Sequence, residues 1–198
     1  MVFTKISKEE ILQLPLIQYQ GEIIVVNSPK DLEQCIDELE KFTLIGFDTE
    51  KKPAFNKGEY YPPAWMQLGT ENKVYLIRIR EKLDPKLVSF LENPLIQKVG
   101  VAIRDDIKDL QKLTPFNAEG FIDLGDIARK LGIENYGLRN LAGRILNRRL
   151  SKKEQRSNWG KDHLTPEQKM YAAVDAWAGL KIYEQLQVAG YLNTQGTL

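Results

Sequence analysis

The chain has 198 residues, 42% hydrophobic and 28% charged, with a formal net charge of +1. That length suits one well-cored domain, at roughly 100–200 residues per domain, and the composition is that of an ordinary globular protein. A single cysteine excludes an internal disulfide framework, no run is long and apolar enough to span a membrane, and the opening MVFTKISKEEILQLP lacks a signal-peptide core, so the expectation is a soluble, cytoplasmic protein.

Residues 1–20 read as an N-terminal extension, 21–192 as a single domain and 193–198 as a tail. The apolar run Glu22–Val26 predicts a strand. The following SPKDLEQCIDELEKF predicts a helix, with Ser28 as N-cap, Pro29 at its first position and Leu32, Cys35, Ile36 and Leu39 on one face. Cys35 is then a small hydrophobe of that stripe. Further strands are expected at Leu44–Asp48, Trp65–Gly69, Val74–Ile77 and Ile96–Val101, with DPKLVSFLEN as a short capped helix before the last. The short link TENK predicts an antiparallel hairpin. From Asp105 onward the chain reads as mainly helical: Asp106–Leu113, a helix near Leu124–Leu131, then GLRNLAGRILN. A long final helix follows, whose N-terminus is marked by a Thr165/Gln168 capping box. Such alternation predicts an α/β domain.

Charge is unevenly spread. Asp31–Glu50 holds seven acids against one lysine, a net −6, whereas Arg144–Lys161 holds seven bases against one acid, a net +6. The basic stretch reads either as a solvated surface or as a phosphate-binding strip formed by Arg148, Arg149, Lys152, Lys153, Arg156 and Lys161. Trp159, in the same stretch, is equally a core aromatic or a substrate contact.

Carboxylates recur where buried elements end. In TLIGFDTEKKP, Asp48 and Glu50 are two residues apart on a strand and so share a face. KVGVAIRDDIKDL repeats the arrangement, with Asp105 and Asp106 at a strand-to-helix turn. The expectation there is that Asp106 faces the other acids while Asp105 caps the helix. In YAAVDAWAGLKIY, Asp175 lies among small apolar residues, and Tyr171 sits one turn earlier on the same face. An acid buried in such surroundings needs a partner such as a metal. Hard divalent cations prefer oxygen ligands, and two of them can stabilise both the attacking and the leaving oxygens of a phosphoryl transfer.

GFDTE, KVGVAIRDD and SNWGKDHLTPEQKMYAAVDAWAGLKIY, in that order, resemble the motifs of the DEDD superfamily of 3′–5′ exonucleases, in its tyrosine-containing subgroup (DEDDy), and the Werner-type exonuclease domain more than ribonuclease D itself. A sister subgroup carries a histidine five residues before the last aspartate, where this chain has Met170. The resemblance implies a ribonuclease H-like fold, whose mixed sheet has its first three strands antiparallel and is flanked by helices. It implies two divalent cations, Mg²⁺ or Mn²⁺, held by Asp48, Glu50, Asp106 and Asp175, with Tyr171 orienting the attacking water. The products would be nucleoside 5′-monophosphates released from single-stranded 3′ ends, with DNA favoured over RNA. The chain departs from the family at Lys51, where an aromatic residue is usual. A non-catalytic nucleic-acid-binding module and a different metal-dependent phosphohydrolase remain as alternatives.

Overall fold

The computed structural model describes residues 6–192; the tail at 193–198 lies outside them. Six strands form one mixed sheet: β1 (Glu22–Val26), β2 (Leu44–Lys51), β3 (Pro63–Gly69), β4 (Lys73–Arg78), β5 (Gln97–Gly100) and β6 (Phe121–Asp123), in the spatial order β1-β4-β3-β2-β5-β6. The antiparallel strands are β2, β3 and β4. The chain's first strand therefore stands outside that meander: β1 runs parallel to β4 at one edge, while β5 and β6 run parallel to β2 on the other side. The β3–β4 hairpin closes as expected, with Thr70 N–H donating to the Lys73 carbonyl at 2.7 Å.

Strand alternation divides the interior in two. One core lies on the face covered by α2 (Pro29–Leu39), α3 (Pro85–Leu91) and α4 (Arg104–Leu113), and contains Cys35, Ile45, Phe47, Met66 and Leu68. The opposite core holds Trp65, Trp159, Tyr171 and Tyr183, under α5 (Leu124–Lys130), α6 (Leu138–Leu141) and α7 (Pro166–Val188). α6 continues into a π-helical turn at Ala142–Leu146, which ends on Asn147 in the left-handed region at φ 52°. α7 begins with the expected capping box: Gln168 N–H donates to Thr165 Oγ1 (3.2 Å) and Thr165 N–H to Gln168 Oε1 (3.0 Å).

Residues 6–20 pack onto the domain. A capping box at Ser7 and Glu10 starts α1 (Lys8–Gln13), Ile17 and Tyr19 are buried, and Leu16 bridges to Arg149. Arg149 fastens this strap, donating from Nε to the Leu14 carbonyl at 2.9 Å. α1 and β6 are the elements that the sequence pattern did not suggest.

One close approach sets the position of α7. Gly46 lies on the α7 face of β2, and a Cβ there would overlap the Ala176 carbonyl oxygen. Ala172, Ala173, Ala176 and Ala178 present small side chains, so the helix lies directly against the sheet. Gly179 is less crowded, its hypothetical Cβ 3.4 Å from the Val99 carbonyl oxygen. Gly46→Ala is therefore expected to cost about 1–3 kcal/mol through overpacking and to lower the melting temperature by several degrees. Gly179→Ala, which improves helix propensity, is expected to be near neutral. Thermal unfolding followed by circular dichroism compares them.

Candidate active site

β2 runs on to Lys51, beyond the expected end at Asp48, so Asp48 and Glu50 both lie in the strand and face α7. α7, seated on Gly46, brings Asp175 over them. One carboxylate oxygen from each of Asp48, Glu50 and Asp175 lies within 4.8 Å of the others. Burial pushes the Asp48 carboxyl well above the usual range, and the charges of Asp175 and Asp106 push it further. Burial likewise raises Glu50 to about 10, helped by Asp48, and raises Asp175 to about 7 against the opposing pull of the Tyr171 hydroxyl and the Arg139 charge. Three crowded, recessed carboxylates are an all-oxygen donor set, which suits a divalent cation. Beside them Gln67, opposite Asp48 across the β2–β3 pair, is fully buried with neither amide atom hydrogen-bonded.

Asp106 stands slightly apart, in the first turn of α4. β5 ends at Gly100, and Ala102 at φ 60° turns the chain toward that helix. Thr49 Oγ1, on the face of β2 opposite Asp48, donates to Asp106 Oδ1 at 2.7 Å, and the Lys51 ammonium lies 3.2 Å from the same oxygen. Burial raises the Asp106 carboxyl, with both neighbours opposing. Lys51 is itself held by Asp109 at 2.7 Å, and Asp109 also accepts from Tyr60 (3.0 Å) and Lys112 (2.7 Å). Although burial opposes it, these bonds hold Asp109 down at about 2.

Asp105 does not cap α4. The helix starts at Arg104 with Ile103 already in helical conformation, so Asp105 lies inside the first turn and points to solvent, paired with Lys108 at 3.0 Å. The separation of the two acids holds, but for a different reason.

Tyr171 lies on the α7 face that carries Asp175, close enough for its hydroxyl to pull down that carboxyl, with its ring centroid 5.9 Å from that of Trp159. Burial and then the charge of Asp175 push the phenol well above its usual range, so it stays protonated. Trp159 is wholly buried, and its carbonyl accepts from Trp65 Nε1 at 3.1 Å. It is a core aromatic, out of reach of a substrate.

Two clefts meet at Tyr171 and Asp175. One, of about 590 Å³, lies between the strap at 16–20, the turn at 151–154 and the first half of α7; the other, about 290 Å³, is lined by Arg139, Asn140 and Gln155. Of the basic strip, Lys152, Lys153, Arg156 and Lys161 are exposed, with Lys153 on the larger cleft. Arg156 stacks on Phe55, 5.5 Å from its ring centroid, and Arg148 lines a separate cleft with Leu16 and Trp177. Sequence reading missed Arg139, Thr49 and Asp109. Only Asp109 had a signal, three residues after Asp106 on one helix face.

The 3′–5′ exonuclease family profile matches residues 23–190. The mouse bifunctional 3′–5′ exonuclease/ATP-dependent helicase WRN is 35% identical over 184 residues, covering 87% of this chain and 13% of that protein. A Drosophila ananassae 3′–5′ exonuclease is 28% identical, covering 91% of this chain, which spans only 56% of it. Among solved structures, the EXO domain of Nibbler from Aedes aegypti superposes with TM-score 0.77 at 27% identity, covering 87% of this chain and 94% of that one. Escherichia coli RNase D shares the fold with TM-score 0.74 at 23% identity, covering 90% of this chain and 48% of its own. With its acids gathered by a ribonuclease H-like sheet, this chain belongs to the 3′–5′ exonuclease family of the DEDD superfamily.

Proposed function

We propose that the chain is a metal-dependent 3′–5′ exonuclease that removes nucleoside 5′-monophosphates from single-stranded nucleic-acid 3′ ends. The observation that carries this reading is the recessed Asp48–Glu50–Asp175 triad, with the Tyr171 hydroxyl beside its last member. Asp48, Glu50 and Asp175 would hold one Mg²⁺ or Mn²⁺, and Asp48 with Asp106 a second. Bound cations would supply Lewis-acid stabilisation of the phosphoryl transition state and a water of lowered pKa.

The chain's own groups account for orientation. The Tyr171 hydroxyl, kept protonated and directed at Asp175, leaves an oxygen lone pair free to accept from the attacking water and aim that water's lone pair at phosphorus. A phenol that stays protonated orients rather than takes the proton. Thr49 and Lys51 saturate Asp106 Oδ1 and leave its second oxygen for the site. Arg139, half-buried in the smaller cleft, Lys153 at the larger one and the exposed Lys152 beside it in sequence are proposed phosphate contacts. Arg156 and Lys161 extend that exposed basic strip. DNA is the favoured substrate on the Werner-type motifs. Digestion of matched end-labelled DNA and RNA oligonucleotides with Mg²⁺ or Mn²⁺ tests the whole reading. Stepwise shortening from free 3′ ends supports it, whereas internal cuts, or no cleavage at all, sink it.

Asp106→Asn is expected to reduce single-turnover cleavage by orders of magnitude, and Asp105→Asn, altering a solvent-facing side chain, to leave it nearly unchanged. Equal losses would show the second motif to be misassigned.

The metal-free protein carries a pH signature. Glu50 titrates near 10 when folded and near its ordinary 4.5 when unfolded. Between those values the folded state binds the extra proton, so stability falls as pH rises. Glu50→Gln is expected to flatten part of that slope and raise the metal-free melting temperature at pH 8 by a few degrees, while abolishing cleavage. Differential scanning calorimetry across pH 5–9 in chelator gives the comparison.

Reversing Lys152 and Lys153 to Glu is expected to weaken substrate binding and lower the salt slope by about 0.7 per lost phosphate contact, with turnover at saturation little changed. Arg149→Glu is expected instead to lower the melting temperature, because Arg149 holds the strap. Fluorescence anisotropy at several salt concentrations reads the slope.

A further inference from the structure

Among the described residues, Gln67 is the buried amide with both side-chain polar atoms unpaired. It sits in the middle of β3 at 0% exposure. Its backbone is engaged on both sides of the sheet, to β2 and β4, so the side chain serves no ladder. An apolar residue of the same shape would fill this place without leaving two polar atoms unpaired. A buried polar group of this kind calls for a use.

The sheet register indicates that use. Gln67 is the direct partner of Asp48 in the antiparallel β2–β3 pair. Directly opposed residues project from the same face with Cβ atoms roughly 4.5–5.5 Å apart. That face is the α7 face: Trp65, two residues before Gln67, packs in the core with Tyr171, and Gly69, two residues after, lies against Ala176 and Trp177. The amide thus lies on the α7 face of β3, beside an acid at the centre of the cluster. Asp48 feels the charges of both Asp175 and Asp106, and Glu50 shares its strand face. Its carboxylate is eased only by the Thr49 backbone amide and the Lys51 charge, and an ionised carboxylate has lone pairs for further donors.

We infer that Gln67 is a positioning residue for the metal site: when the acid cluster takes up cations, Gln67 Nε2 donates to the Asp48 oxygen turned away from them and fixes the orientation of the carboxylate. This rests on the metal-dependent reading above. Glutamine suits the task because it donates without charge. A lysine in its place would compete with the cations for the same carboxylate, whereas an amide leaves the negative charge of Asp48 available to them. Groups that orient a ligand in this way commonly change metal affinity by about 10–100-fold when removed.

The test uses the full chain, wild type and Gln67→Met, titrated with Mn²⁺ alone by calorimetry, with melting recorded in chelator. Gln67→Met is expected to melt at the same or a higher temperature without metal, having lost two unpartnered polar atoms, and to bind Mn²⁺ about 10–100-fold more weakly. Unchanged Mn²⁺ affinity, or a large drop in metal-free melting temperature, would overturn the inference, the latter by giving the amide a purely structural role. Should Gln67→Met not fold, the wild-type protein decides: in ¹⁵N-labelled chain, the Gln67 side-chain NH₂ signals are expected to shift and exchange more slowly with solvent on addition of Mg²⁺. Signals indifferent to Mg²⁺ would overturn it. Failure of the wild type to bind either cation would overturn the metal-site reading itself, and this inference with it.

Discussion

The contact between α7 and β2 is the constraint on which the site depends. Gly46 gives no side chain to that contact, and the Ala176 carbonyl fills the space where a Cβ would stand. Asp48 follows Gly46 by two residues on the same strand face, and Asp175 precedes Ala176 by one on the helix. The close approach that packs the two elements therefore also carries their acids together. A larger residue at either position would relieve no strain elsewhere; it would move the helix out and separate carboxylates that have no other reason to meet.

Bringing them together works against the fold. Each acid of the triad has its carboxyl raised by burial, and the three repel one another whenever they ionise. Two positive groups stand at the rim, Lys51 beside Asp106 and Arg139 near Asp175, but Lys51 is itself committed to Asp109. Among the described residues no cationic side chain reaches the centre of the cluster, which is what a site for external cations requires and what a purely structural ion network would avoid. Stability given up at functional positions is common, and here the remainder of the interior supplies it: two well-filled cores, one on each face of the sheet.

Much of this was legible in the chain because the periodicities are strict. Period two put Asp48 and Glu50 on one face, and the spacing of four put Tyr171 over Asp175. An N-cap serine followed by proline marked the helix start at Ser28 and a capping box that at Thr165; the structure contains both, with Asp31 completing a box at Ser28 as well. What escaped has a common cause, which is dependence on distant partners. β6 is three residues long and exists by pairing with β5. Arg149 looked like one more base in a strip, and only the fold reveals that it fastens Leu14 from 135 positions away. Trp159 offered even odds until its burial placed it in the core. Asp105 is a separate case: it failed as a cap because α4 starts at Arg104, two residues before the expected Asp106.

The fourth acid shows how a sheet end becomes a site. β2 pairs with β5 only from Leu44 to Gly46, so its last residues run on without a neighbour on that side. The gap lies at the carboxyl ends of two adjacent parallel strands, where open α/β sheets gather their ligands. Into it comes the first turn of α4 with Asp106, and the alternation of β2 then works twice. Residues pointing to α7 supply Asp48 and Glu50, while Thr49 and Lys51, pointing the other way, grip Asp106 by one oxygen. An aromatic residue in place of Lys51 could fill the same volume but could not hold that oxygen by charge. The departure at Lys51 thus adds Asp109, Lys112 and Tyr60 to the support of the fourth acid, through a chain of contacts between 2.7 and 3.2 Å. The strand that provides the triad on one face also positions its companion from the other.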